Sequence, residues 1–253
     1  MRLGLIRHAT LLLEFGGLRV LLDPMLDPMG AQPPVPDSPN PQPNPLVELA
    51  MPAESLVQGL DLCVVTHTHA DHLDSTAGKL IPKDLPVICQ PAQVAHIQHG
   101  GLTAVPLEAD LTLAGVTLSP TGGIHGPEIL ARELGPVMGV VFAAEGEPTT
   151  YVAGDTVMCE AVGDAVATHA PDVIVVNAGA AQFIDSEPIT MDADQVFALA
   201  DAAPDAIIIA VHMDAVNHCM LSRARLRELV AERGLDGRII APDDAQMLEI
   251  GAD

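Results

Sequence analysis

The sequence predicts an α/β fold: two mixed β-sheets packed face to face with helices on both outer faces, an αββα sandwich in one domain over residues 1–253. Three observations lead there. The chain runs twice from paired short strands into an alternation of strand and helix, a pattern that two back-to-back mixed sheets with outer helices satisfy. Hydrophobic residues make up 49% of the 253, enough for a substantial core. With four Phe, one Tyr and no Trp, that core is aliphatic, and a ligand held between stacked rings is disfavoured. No repeat of solenoid length is present.

The opening reads as strands at Arg2 to His8, Thr10 to Phe15 and Leu18 to Leu22, with Gly16-Gly17 turning the last pair. Prolines then crowd a stretch at about 24–45; they fix φ and remove donors, so it is read as a long ordered surface loop. A buried strand follows at Leu60 to Thr66 and another at Pro86 to Gln90, then a helix from about Ala92 to His99. Asp110 to Pro120 alternates as a hairpin around Ala114-Gly115, and Met138 to Ala144 and Thr150 to Ala153 are strands joined by a Glu-Gly-Glu-Pro turn. The second alternation comprises a helix near Met158 to His169, a strand Val173 to Asn177, a helix near Asp192 to Ala202, a strand Ala206 to Val211, a helix Ser222 to Arg233 and a closing strand Arg238 to Ala241.

Against 34 Asp and Glu stand 11 Lys and Arg, a formal charge of −23. Such a surface repels phosphate backbones and anionic membranes, so nucleic-acid and membrane partners are excluded and a small-molecule substrate is expected. Arg223, Arg225 and Arg227 read as a solvated helix face. A homo-oligomer stays open, since surface charge says nothing about an apolar interface. The start, MRLGLIRHAT, has no signal-peptide pattern, and no apolar run reaches membrane-spanning length, so a cytoplasmic protein is expected. Cys63, Cys89, Cys159 and Cys219 lie far apart without a Cys-x-x-Cys and read as free thiols.

The chemistry concentrates at Val64-Val65-Thr66-His67-Thr68-His69-Ala70-Asp71-His72. A buried strand ends, and four metal-capable side chains follow within six residues. Imidazoles two apart can converge on one ion, while Asp71 and His72 are displaced toward a second position, a clustering that suits two adjacent divalent ions. Core packing needs nothing of the kind.

This motif resembles the signature of the metallo-β-lactamase superfamily. The opening Ile6-Arg7-His8-Ala9-Thr10 and Val20-Leu21-Leu22-Asp23-Pro24 are similar to the entry strands of the branch that includes ascorbate 6-phosphate lactonase and N-acyl phosphatidylethanolamine phospholipase D. His125 in Gly-Gly-Ile-His-Gly, Asp155 in Tyr-Val-Ala-Gly-Asp-Thr and His212 in Ile-Ala-Val-His match its later ligands. The resemblance implies that His67, His69 and His125 bind one ion, that Asp71, His72 and His212 bind a second, and that Asp155 bridges. The cofactors it implies are two divalent metal ions, zinc by default, with manganese, iron or nickel tolerated by the same donors.

The resemblance also implies a binuclear hydrolase, in which a metal-bridging hydroxide attacks a small ester, lactone, amide or phosphodiester and Asp71 or Asp155 orients the nucleophile. His8 and His218 are candidates for substrate contact or support of the ligands, and Asp23 for holding the ligand cluster. The loop from Asp27 to Pro45 and the segment from Gly126 to Val137 are expected to shape the pocket. His96, His99 and His169 read as structural residues at helix ends. His69, where a Glu would imply flavodiiron-type oxygen chemistry, argues for hydrolysis. The alternative is a non-catalytic metal-binding ligand sensor or scaffold on the same fold.

Overall fold

The computed structural model describes residues 1–251, so the last two residues of the expected 1–253 domain lie outside the described residues. The first half comprises β1 (Arg2–Arg7), β2 (Thr10–Phe15), β3 (Leu18–Leu22), α1 (Ala53–Leu56), β4 (Leu62–Val65), α2 (Ser75–Leu80), β5 (Pro86–Cys89), α3 (Val94–His99) and β6 (Thr103–Pro106). The second comprises β7 (Leu111–Leu113), β8 (Val116–Thr121), α4 (Glu128–Leu134), β9 (Gly139–Ala143), β10 (Thr150–Val152), α5 (Glu160–His169), β11 (Val173–Asn177), α6 (Ala193–Ala202), β12 (Ile207–Val211) and α7 (Arg223–Glu232), closing with β13 (Ile239–Ile240) and β14 (Met247–Glu249).

These strands form two seven-stranded sheets, ordered β14-β1-β2-β3-β4-β5-β6 and β13-β12-β11-β10-β9-β8-β7. In each, the central strand is antiparallel to one neighbour and parallel to the other: β3 pairs antiparallel with β2 and parallel with β4. β10 does the same with β9 and β11. The inner faces meet in one aliphatic layer that includes Leu11, Leu13, Val64, Val140, Val175 and Ile209. The opposite residues of the same strands pack outward, Cys63 and Val65 with α2 and α3, and Ile174 and Val176 with α5 and α6. Strands buried on both faces read as continuous apolar runs, which is why β4 and β11 stand out in the sequence.

Several elements differ from expectation. Helices α1, α2 and α4 and strands β6 and β14 are too short to display a period, and α4 buries no side chain, so it carries no apolar stripe. Asp74 caps α2, accepting from Ala77 N at 2.8 Å. β1 stops at Arg7, one residue early, and the chain closes on β14 paired to β1 rather than on β13. The proline stretch is not regular structure apart from a two-residue bridge, Gln32 to Asn44. No helix among the described residues is long and apolar enough to cross a membrane, and all four cysteines are free.

Candidate metal centre

In open α/β sheets, ligands collect beyond the carboxyl ends of strands where the sheet changes direction. The predicted site residues meet at such a place: Asp23 follows β3, His67 follows β4, Asp155 follows β10, His212 follows β12 and His8 follows β1. Three of them have left-handed backbone, with φ of 60° at His8, 42° at Asp23 and 66° at His212. Strain of this kind persists only where the surroundings fix it, and here His212 N donates to His8 O at 2.9 Å and Asp23 N to Val64 O at 2.9 Å. Gly154 makes the turn into Asp155 at φ 69°, and a Cβ there would stand 2.8 Å from Met138 O.

The donor atoms gather in overlapping groups. Ligand atoms of His67, His69 and His125 lie within 4.8 Å of one another, as do those of His8, Asp71, His72 and His212, and those of His67, His72 and Asp155. Asp155 joins the two sides. Its Oδ2 faces His125 Nε2 at 3.5 Å and His67 Nε2 at 3.8 Å, while its Oδ1 faces His72 Nε2 and His212 Nε2, each at 3.3 Å. Asp71 Oδ2 lies 3.5 Å from His212 Nε2 and 3.1 Å from His8 Nε2. His8 thus stands against the second group, in hydrogen-bond reach of Asp71.

Three of the rings have one nitrogen beside a protein oxygen, a contact that orients the ring. His69 Nε2 is 3.1 Å from Leu134 O, His125 Nδ1 is 2.9 Å from Ile189 O, and His67 Nδ1 is 3.3 Å from Thr66 Oγ1. Asp23 lies 2.9 Å from His72 Nδ1 and accepts from Thr66 N and Thr66 Oγ1, both at 2.7 Å, which places it between the end of β4 and His72. His212 Nδ1 is 3.6 Å from Cys219 Sγ.

Sequence reasoning did not find Cys219, nor Asn177, whose Nδ2 donates to Asp155 Oδ1 at 2.5 Å. Asn177 had a signal: it is the polar residue closing the apolar strand β11. His96 and His99 are exposed and away from the cluster.

Charge follows from burial and company. Burial would lower His72, but the carboxylates of Asp155, Asp23 and Asp71 hold it up at about 10. His212 is likewise raised against its burial, by Asp155 first. Burial would raise Asp71 and Asp155, yet the surrounding imidazoles hold both well below the usual carboxylate range. His67 is lowered by burial and by His72, and His8 is lowered to about 3 by burial and His212.

The residues fit divalent cations. Among the described residues, Nε2 of His72 and of His212 are buried without a hydrogen-bond partner, and both converge on carboxylate oxygens in a nitrogen and oxygen donor set suited to zinc or its neighbours. A cavity of about 640 Å³ opens above the cluster. The proline stretch contributes Pro33, Val35 and Pro36 to its lining, and the end of α4, within the segment 126–137, contributes Leu134.

Comparison with known proteins agrees with this geometry. The family model of the β-lactamase superfamily domain matches residues 18–213. The UPF0173 protein YddR of Bacillus subtilis (strain 168) is 36% identical over 250 residues, covering 97% of this chain and 98% of that one. Among solved structures, an isothiocyanate hydrolase from Delia radicum gut bacteria is similar with a TM-score of 0.95 and 34% identity, covering 100% of both chains. A possible metal-dependent hydrolase from Veillonella parvula DSM 2008 gives 0.95 and 35%, covering 99% of each.

Proposed function

The chain belongs to the metallo-β-lactamase superfamily and is a metal-dependent hydrolase, and within that family we propose that it uses two divalent ions to hydrolyse a small neutral electrophile. The observation that carries this reading is Asp155, whose two oxygens face two separate histidine groups. His67, His69 and His125 would hold one ion and Asp71, His72 and His212 the other, with the Asp155 carboxylate available to both and His8 next to Asp71. Zinc is the default metal, with manganese, iron or nickel compatible with the same donors.

Bound there, the ions supply a water of near-neutral pKa and a Lewis acid for the substrate heteroatom. The chain does the rest. Asp71 and Asp155 are ionised and border the cavity, so each can orient a water by accepting a hydrogen bond from it. The His8 Nε2–H donates to Asp71 Oδ2 and keeps that carboxylate turned toward the second group. Apolar residues of the cavity exclude bulk water, which strengthens these polar interactions.

The substrate class follows from the lining. Among the described lining residues there is no Lys or Arg, and Asp27 and Asp74 stand among them. A phosphodiester would have only the two ions to meet its charge and no basic side chain of the lining, and the apolar lining suits neutral esters, lactones, amides and isothiocyanates better. The isothiocyanate hydrolase that this chain resembles over its full length makes isothiocyanates the first compounds to test.

The purified protein is expected to carry about two divalent ions, and the paired substitution His67→Ala with His69→Ala to lose metal and turnover together. Full activity in that double variant contradicts the reading. Ligand-induced stabilisation without product release across an isothiocyanate, ester and lactone panel assigns the chain to the sensor class instead.

A further inference from the structure

Outside the two ligand groups, most polar side chains bordering the cavity are engaged by the protein itself. Asp27 accepts from Gln32 Nε2 at 2.9 Å and from Thr76 N at 3.1 Å. Ser75 Oγ donates to Asp27 at 3.2 Å, Asp74 caps α2, and Asn44 Nδ2 donates to Asn217 Oδ1 at 2.8 Å. His218 differs. It is 6% exposed, it borders the cavity, and its Nδ1 is buried with no hydrogen-bond partner among the described residues.

Nothing mobile accounts for this. Gln182 N donates to His218 O at 3.0 Å, Ala181 bridges to Cys219, and the imidazole lies 6.3 Å from the Phe183 ring, which borders the same cavity. Burial lowers His218 to about 4, so the ring is neutral over the physiological range and can offer one N–H donor and one acceptor. A buried ring nitrogen without a partner is costly in the free protein whichever nitrogen carries the proton, and the ring borders the cavity that a substrate would enter.

We propose that His218 is a catalytic residue that contacts the substrate, its neutral imidazole hydrogen-bonding the leaving heteroatom of a neutral molecule whose apolar substituent lies against Phe183, Leu134 and Ile189. This rests on the hydrolase reading above. For an isothiocyanate, water oxygen bonds to the central carbon as the carbon–nitrogen π pair moves to nitrogen. That nitrogen takes one water proton. The remaining carbon–nitrogen bond then breaks as nitrogen takes the second, releasing amine and carbonyl sulfide. His218 stabilises the nitrogen as charge develops there, which acts on the transition state more than on the ground state.

The test uses the metal-loaded protein with 2-phenylethyl isothiocyanate, and His218→Phe and His218→Gln as variants. Metal content at the wild-type level is expected in both. His218→Phe should lose kcat by tenfold or more, and His218→Gln, which keeps a donor, should recover part of it. Unchanged kcat and KM in His218→Phe overturns the proposal; if that variant does not fold, unchanged kinetics in both His218→Gln and His218→Leu do so.

A readout without turnover separates the two claims. Calorimetric binding of N-(2-phenylethyl)urea should weaken at least tenfold in His218→Phe, and equal affinity overturns the contact. Wild-type protein that binds this urea through His218 yet hydrolyses nothing contradicts the hydrolase reading and supports the contact.

Discussion

At the scale of single residues, the centre is held by close approaches as much as by its ligands. Gly179 is one: a Cβ there would run into His212 O and come within 2.9 Å of Cys219 Sγ. Gly179→Ala therefore displaces the His212 backbone and the thiol beside its ring. Elemental analysis against a metal titration should show affinity reduced on the order of 10–100-fold, with the fold retained. Protonation gives a second expectation. His72 at about 10 and His212, also raised, carry protons in the metal-free protein at neutral pH, and ligation requires neutral rings. Metal loading should release protons and tighten as pH rises, and calorimetry in two buffers of different ionisation enthalpy reads this directly; proton-neutral binding contradicts it.

The ligand positions were legible because His67, His69, Asp71 and His72 are adjacent in the chain and the later ones follow strands or glycines. Asn177 and Asn217 were not, because an amide that acts across the fold leaves no local pattern.

Among elements, the proline stretch shows how an irregular segment becomes a fixed wall. Asn217 is buried and accepts from Val35 N at 2.9 Å and from Asn44 Nδ2 at 2.8 Å. Its own N donates to Asn44 Oδ1 at 2.9 Å, and its Nδ2 to Asn40 O at 2.5 Å and to Ser38 Oγ. Arg7 supports the same stretch from beneath, donating to Met25 O at 2.7 Å and Asp27 O at 2.8 Å. Asn217→Ala leaves several of these groups unpaired, at about 1–3 kcal/mol each where burial is kept. It should raise KM while metal content stays at the wild-type level; loss of metal without a change in KM contradicts this role. The doubly buried strand Val173–Asn177 was legible to the residue and its neighbours to within one or two, whereas α4 was not, since a helix without a buried side chain has no apolar period to read.

For the whole molecule, each half supplies the body of one sheet, with β14 of the second half crossing to the edge of the first, and the site lies beyond the strand ends where each sheet changes direction. That arrangement ties metal occupancy to the packing of both sheets. Each bound ion stabilises the folded chain by about 4 kcal/mol at a thousandfold excess over Kd, so removal of both by a chelator should lower Tm on the order of 20 °C, read by calorimetry; an unchanged Tm contradicts the coupling. The charge of −23 acquires a local meaning too. Arg223 pairs with Asp214 and Asp244, Arg225 with Glu228, and Arg227 with Asp243, while Asp71 and Asp155 face inward to the cluster.

Anomalous diffraction at the absorption edge of the metal in the purified protein tests the central claim most directly. Two peaks about 3.5–4 Å apart, one on each side of the Asp155 carboxylate, are the predicted result. A single peak, or peaks that leave Asp155 bound to one ion or none, would contradict it.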